Sequence, residues 1–182
     1  MLLWFSRREC TGRRRIHVAS EGVEAQSPCM DPIDRRLLNL LQKDSGRTAQ
    51  QLAEQVPLSA TAITRRLQRM RAEGIIEREV ALTSIKLREK RVTAVIQVQF
   101  ERHTPSELAE LKRTLATAPE VLICVAITGT SDMMILASMR DMDHFNEFAD
   151  ELALQPVVRR YETSIVKRHI KMSLAIELDE ED

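Results

Sequence analysis

The chain has 182 residues, which is enough for one ordinary domain or two small ones. Its three cysteines, Cys10, Cys29 and Cys124, form no C-x-x-C or Cys/His pattern, so we expect a reduced cytoplasmic protein with neither a disulfide framework nor a metal site. No apolar run approaches the roughly 18 residues of a membrane span, so we expect no membrane partner.

The formal net charge of zero hides an uneven distribution along the chain. Residues 30–91 contain 13 Lys or Arg against 8 Asp or Glu, whereas residues 92–182 contain 9 against 16. This asymmetry favours a basic module that faces a polyanion and a second, acidic module. Two solvated domains with unrelated surface charge are the alternative.

Residues 1–29 show no sustained hydrophobic period, and we interpret them as a disordered extension. Their arginine cluster at 13–15 could touch DNA phosphates, although a solvated tail is the plainer interpretation. A well-formed helix start follows Met30, which suggests the hypothesis that the extension arises from an upstream translation start. Mass spectrometry of the native protein tests this, because an N-terminus at Met1 would refute it.

Three short helices are predicted between residues 31 and 74, the last two joined by a tight turn. Capping residues and helix breakers mark their ends: Asp31 with Pro32, Thr48 with Gln51, Pro57, Ser59 and Gly74. This arrangement is typical of a helix-turn-helix. Residues 75–82 then predict a β wing, so that residues 30–82 form a winged helix-turn-helix domain.

The third helix carries polar side chains of the types that read base edges, opposite an apolar stripe. Arg can bond guanine, Gln can bond adenine, and the Thr methyl can meet thymine. Other arginines suit phosphates. The predicted DNA-binding residues are Arg47, Ser59, Thr61, Thr64, Arg65, Arg66, Gln68 and Arg69. An amphipathic helix with a solvated arginine face is the alternative.

The second half predicts strands and helices in the order β-α-β-β-α-β, with an extra terminal strand at 170–178. Val92–Phe100 alternates apolar and polar residues, and Thr104 with Glu107 forms a capping box that opens a helix. Strands at 121–128 and 133–139, a helix from Asp141 and a strand at 157–166 follow. The sequence therefore predicts an α+β protein with a C-terminal ferredoxin-like domain, whose open sheet face favours dimerisation.

The chain resembles the leucine-responsive regulator/asparagine-regulator (Lrp/AsnC) family over about residues 30–171. The motifs that carry the resemblance are Asp31-x-x-Asp34-Arg35, Gly46-Arg47, Leu58-Ser59-x-Thr61-Ala62, Arg65-Arg66-Leu67, Glu73-Gly74-Ile75-Ile76 and Thr128-Gly129-x-x-Asp132. Membership implies a transcriptional regulator that binds double-stranded, pseudo-palindromic DNA as a homodimer, assembling to octamers or larger discs. It also implies a small amino-acid effector bound between dimers, and no other cofactor.

The resemblance further implies where the effector binds. The implied residues are Ala126, Thr128, Gly129, Asp132, Thr163 and Ile165. Asp132 offers a carboxylate for an ammonium group, Gly129 exposes backbone amides for a carboxylate, and Thr163 offers a hydroxyl. A purely structural role for Asp132 is the alternative, because Gly-x-x-Asp is a good turn sequence by itself.

We divide the chain accordingly into an extension (1–29), a DNA-binding domain (30–82), a linker (83–91), an effector domain (92–175) and an acidic tail (176–182). Three residues depart from the family pattern. Pro57 and Glu89 stand where Gly is usual, and Met133 replaces an aromatic residue, which puts the identity of the effector in doubt.

Two other functions deserve weighing. Sirohaem decarboxylases share this two-domain architecture, but none of the four histidines lies near the turn at 129–132, and no catalytic motif is present. An effector-binding protein with a vestigial helix-turn-helix is disfavoured by the arginines of the third helix. We therefore predict a regulator and not an enzyme.

Overall fold

The computed structural model describes residues 30–102 and 104–180, which form two compact units. The first unit contains the described residues up to Val80 together with the segment that begins at Ser173. The second unit spans Ala81–Met172. Each unit has its own hydrophobic core. None of the helices in the described ranges combines the length and apolarity needed to cross a membrane.

The first unit contains three helices, α1 (Pro32–Lys43), α2 (Ala49–Ala53) and α3 (Ala60–Ala72). Side-chain caps open each helix as the sequence predicts, with a complete capping box at the start of α2. At the end of α3 Gly74 adopts a φ of 71°, the left-handed conformation that glycine permits without strain. The fully buried side chains at the centre of this unit are Leu37, Leu52, Ile63 and Met70.

The second unit begins with the short helix α4 and continues as β-α-β-β-α-β. Its elements are α4 (Ile85–Arg88), β1 (Val92–Phe100), α5 (Pro105–Thr117), β2 (Val121–Ala126), β3 (Met133–Met139), α6 (Met142–Ala153) and β4 (Val158–Ile165). The four strands pair antiparallel in the order β2-β3-β1-β4. This confirms the predicted α+β class and the ferredoxin-like arrangement.

The sheet has one face covered by helices and one face without them. Ile96 and Ile135 are fully buried in a core that includes Leu111 and Leu115 of α5 and Leu152 of α6. Side chains alternate along each strand, so their neighbours in sequence point to the opposite face. The apolar residues of that uncovered face are Val95, Ile123, Val125, Met134 and Leu136.

Two predicted strands do not form. Residues 75–82, predicted as a wing, form no β-ladder within the described chain. The prediction of a terminal strand at 170–178 is wrong, because these residues form no strand. Leu178 instead packs against the core of the first unit, and the Asn39 and Gln42 side chains bond the backbone of Leu178 and Ile176.

Candidate DNA-binding and effector sites

The face of α3 opposite its buried stripe is exposed to solvent. Ile63, Leu67 and Met70 are buried, whereas the side chains on the other face are exposed. The exposed set is Thr61, Thr64, Arg65, Gln68 and Arg69. Because Ser59 caps the helix, accepting from the Ala62 amide at 3.3 Å, the first turn is well ordered, as a helix that enters a groove requires.

Within the described ranges, no other residue bonds to the polar groups of the Arg65 and Gln68 side chains. Neither side chain makes a hydrogen bond or ion pair with another residue in the ranges 30–102 and 104–180. The Thr64 hydroxyl, in contrast, donates to the Ala60 carbonyl at 2.9 Å, which uses its only proton within the helix. The base-reading potential of this face therefore lies mainly in Arg65 and Gln68.

A buried carboxylate joins α3 to α1. Asp34 is 1% exposed and accepts hydrogen bonds from the Arg66 guanidinium at 2.8 Å and from Arg69. Arg66 also donates to Asp31 at 2.5 Å. Asp34 and its two arginines, hereafter the Asp34 lock, fix the rotation of α3 about its own axis relative to α1. This matters because only the correct rotation presents Arg65 and Gln68 outward.

Electrostatics within this cluster favour the charged forms. Partial burial by itself would raise the pKa of Asp31, but hydrogen bonds from Arg66 and the Asp34 amide, with the charges of Arg66 and Arg69, bring that pKa below its ordinary value. Hydrogen bonds to Asp31 and Asp34 likewise raise the pKa of Arg66. The ion pair between Asp31 and Arg66 is therefore intact at neutral pH.

The other arginines of the predicted DNA-binding set are also held by protein groups. Arg47 donates to the Gln55 side chain at 3.1 Å and lies 3.6 Å from the Asp44 carboxylate. Arg66 and Arg69, predicted to contact DNA, are engaged by the Asp34 lock. Their DNA contacts stay predictions, and each would have to be made by guanidinium nitrogens that carboxylates leave open.

Sequence reasoning missed the function of Asp34, although a signal for it exists. Asp34 precedes Leu37 and Leu38 by three and four residues, so it falls on the apolar stripe of α1. A carboxylate on a stripe that becomes buried requires a partner. The charge of Asp34 therefore pointed to an ion pair, but the identity of its partners follows only from the packing of α3.

The turn between β2 and β3 contains the first part of the predicted effector site. Gly129 has a φ of 120°, which only glycine adopts easily, and its surroundings are open. Asp132 ties this turn to the end of β1: its carboxylate accepts from the Phe100 amide at 2.8 Å, and its own amide donates to the Val98 carbonyl at 2.9 Å. Asp132 therefore has a structural role in the free protein.

The second part of the predicted effector site lies at the opposite edge of the sheet. Ala126 is on the edge strand β2, whereas Thr163 and Ile165 are on the edge strand β4, with β3 and β1 between them. Adjacent strands are about 4.8 Å apart, so the two edges are separated by about 14 Å within one chain. One protomer therefore does not bring Ala126 together with Thr163 and Ile165.

The side-chain hydroxyl of Thr163 makes no hydrogen bond within the described chain. Thr163 pairs with Ile96, so its side chain lies on the helix-covered side of the sheet. Its Oγ1 is buried and is the one such side-chain oxygen or nitrogen, among the described residues, that lacks a hydrogen bond. An unsatisfied buried hydroxyl costs free energy, which a ligand or water could recover.

A helix-turn-helix with an exposed recognition helix, followed by a ferredoxin-like domain, is the arrangement expected of a DNA-binding transcriptional regulator. Family models agree in both units: one for winged helix-turn-helix DNA-binding matches residues 30–77, and one for the Lrp/AsnC ligand binding domain matches residues 93–176. The chain belongs to the Lrp/AsnC family of transcriptional regulators, as the motifs around Ser59 and Gly129 predicted.

Relatives extend over most of the chain. An HTH-type transcriptional regulator of Sinorhizobium fredii is 30% identical, covering 82% of this chain and 89% of the relative. The DNA-binding transcriptional activator DecR of Escherichia coli is 28% identical, covering 82% and 99%. Among solved structures, a transcriptional regulator of Neisseria meningitidis in complex with L-Met superposes with a TM-score of 0.73 at 29% identity, covering 81% and 96%. These relatives are regulators, which confirms the prediction of a regulator and not an enzyme.

Proposed function

We propose that the protein recognises its operator through Thr61, Arg65 and Gln68 on α3. The observation that carries this proposal is the contrast between neighbouring arginines: Arg65 is exposed and has no partner among the described residues, whereas Arg66 is held by two carboxylates. A guanidinium with all five donors free can bond both acceptors of a guanine edge. Arg66 and Arg69 then act chiefly by setting the rotation of the helix.

A small amino acid is the proposed effector. The support comes from the Neisseria regulator in complex with L-Met and from the chemistry of the β2–β3 turn. The exposed backbone at Gly129 could meet an α-carboxylate, and the free oxygen of Asp132 could meet an α-ammonium group. Because Thr163 and Ile165 lie at the far edge of the sheet, we propose that a second copy of the chain supplies them.

The uncovered sheet face and the divided site both support a proposed homo-oligomer. That face carries five apolar residues, at positions 95, 123, 125, 134 and 136, whereas α5 and α6 of the same unit pack on the opposite face. Packing this face against the same face of another copy would give a symmetric dimer. Such a dimer would present two α3 helices to a pseudo-palindromic DNA site. Further association to an octamer would complete the effector sites. We propose that the protein acts in the cytoplasm.

Two measurements test these proposals separately. A gel shift against the DNA upstream of the protein's own coding region tests operator binding, and equal affinity for a scrambled duplex would contradict it. A thermal-shift screen of the twenty amino acids, with L-Met as the first probe, tests the effector. No stabilisation by any of them at millimolar concentration would contradict the effector proposal while leaving the DNA proposal standing.

A further inference from the structure

The outer side of α1 holds an extended segment from the C-terminal part of the chain. The Asn39 side chain donates to the Leu178 carbonyl at 2.8 Å and accepts from the Leu178 amide at 2.9 Å. The Gln42 side chain does the same with Ile176, at 2.8 Å and 2.9 Å. Two side-chain amides therefore satisfy both backbone groups of two residues.

This pairing works because a side-chain amide carries the same donor and acceptor as a peptide group. Asn39 and Gln42 are three residues apart and so lie on one face of α1. Ile176 and Leu178 are two residues apart in an extended chain, where alternate residues direct their backbone groups to the same side. The helix therefore offers two pairs of a hydrogen-bond donor and an acceptor, as a neighbouring β-strand would.

An apolar contact and opposite charges add to the backbone pairing. Leu178 packs against the core of the DNA-binding unit, whereas Leu174 is 84% exposed. The Arg35 guanidinium donates to the Asp179 carbonyl at 3.1 Å, and the Asn39 side chain also lies 3.4 Å from the Glu180 carboxylate. The segment is acidic where α1 is basic, since Arg35, Arg36 and Lys43 lie on this helix.

We propose that the outer face of α1 is a docking surface for the chain's own residues 173–180, hereafter the strap, and that the strap stabilises the DNA-binding unit. Neither operator recognition nor effector binding, as proposed above, uses Asn39, Gln42 or Leu178. The strap lies beyond the effector unit in sequence, so the chain crosses between units twice, at Val80–Ala81 and at Met172–Ser173. The DNA-binding unit is therefore formed by residues that precede the effector unit in sequence together with residues that follow it.

Hydrogen exchange of the full chain, resolved to single amides, provides a specific test. The amides of Ile176 and Leu178 donate to Gln42 and Asn39, whereas those of Glu177 and Asp179 have no acceptor among the described residues. We expect alternating protection, with exchange at 176 and 178 slowed by about tenfold or more relative to 177 and 179. Uniformly fast exchange from 174 to 180 would overturn the proposal.

Single variants assign each part of that pattern. Asn39→Ala is expected to abolish protection at Leu178, and Gln42→Ala at Ile176. Gln50→Ala, which removes an exposed amide on α2, is the matched control and should change neither. Protection that survives in the Asn39→Ala/Gln42→Ala chain would show that other groups bind the segment, against the proposal.

Stability provides a second readout that needs neither DNA nor effector. Leu178→Ala removes a side chain that packs on the core and should lower the unfolding midpoint by about 4 °C or more. Leu174→Ala removes the same side chain from an exposed position of the strap and should leave the midpoint unchanged. Equal effects of the two substitutions would contradict docking through Leu178.

A further experiment tests whether the strap docks on α1 of its own chain and not on that of another copy. Cysteines placed at Lys43 and Ala175, which line one groove and leave Asn39 and Gln42 in place, should be joined by a short bismaleimide within one chain, without a covalent dimer, once the chain's own three cysteines are replaced by serine. A covalent dimer on a denaturing gel would overturn the proposal in favour of exchange of the strap between copies. Failure of operator or effector binding would affect none of these measurements.

Discussion

The two units prepare their sites in different ways. The DNA-binding unit holds its candidate site within one chain: the Asp34 lock sets α3, and Arg65 and Gln68 face solvent with no partner in the part of the chain that the structure describes. The effector unit divides its predicted site between the two edge strands of one sheet, with Ala126 on β2 and Thr163 and Ile165 on β4. The difference teaches that DNA contact is a property of the protomer, whereas effector binding is proposed as a property of the assembly.

The largest expected effect comes from breaking the Asp34 lock. Asp34→Ala removes a buried carboxylate and leaves Arg66 and Arg69 without their partner. We expect a loss of about 3 kcal/mol of unfolding free energy, at the lower end for a broken buried ion pair, because both arginines can regain water. Urea unfolding followed by circular dichroism measures it. Asp44→Ala, at an exposed ion pair with Arg47, is the control and should cost less than about 1 kcal/mol.

The next effect tests whether the exposed face of α3 reads bases. Arg65→Ala should cost about 1–3 kcal/mol of binding free energy at the operator and relax base preference at one position. Arg65→Lys keeps the charge and loses the fork of donors, so it should also lose specificity while retaining the salt dependence of binding. Competition binding with operator and scrambled duplexes measures both. If lysine restores full specificity, Arg65 touches only phosphate.

A smaller effect separates the two roles of Asp132. Asp132→Ala loses the hydrogen bond from the Phe100 amide and should cost about 1 kcal/mol of stability. Asp132→Asn keeps an acceptor for that amide and removes the charge, so it should be stable and bind DNA but lose the proposed response to an amino-acid effector, for which L-Met is the first probe. Thermal unfolding and gel shifts with and without L-Met distinguish them. An asparagine variant with an unchanged response would leave Asp132 as a turn residue only.

The smallest expected effect is the pH dependence of stability that Asp31 contributes. The pKa of Asp31 is lowered in the folded protein, so its charge stabilises the fold at neutral pH, and this contribution disappears as the pH falls through the lowered folded value. Asp31→Asn retains a capping side chain and removes the charge. The stability difference between the two proteins should be below about 1 kcal/mol at neutral pH and vanish in acid. A difference that grows on acidification would contradict this sign.

Local signals were sufficient for much of the fold. The caps at Asp31, Thr48, Ser59 and Thr104 and the glycine at 74 mark helix ends through bonds between near neighbours in sequence. The order of the strands in the second unit followed from alternation and turns. What failed was also local in origin: the alternation at 170–178 predicts a strand, but its partner is a helix side chain and not another strand.

The candidate sites were predictable as residue types and less so as arrangements. The outward stripe of α3 follows from helical periodicity, so Arg65 and Gln68 could be singled out. Whether a given arginine is free depends on carboxylates far away in sequence, and Asp34 is 32 residues from Arg66. The separation of Ala126 from Thr163 is a consequence of strand order, which alternation along single strands does not determine.

Charge compensation on α3 bears on how the protein finds its operator in a genome. Of the four arginines of this helix, Arg66, Arg69 and Arg71 each pair with a carboxylate, and Arg65 alone does not within the described chain. Each uncompensated contact with phosphate adds about one counterion released, and non-specific affinity grows with that number. A regulator of this kind binds random duplex more weakly, so it dissociates from non-specific DNA more often and samples new sites sooner.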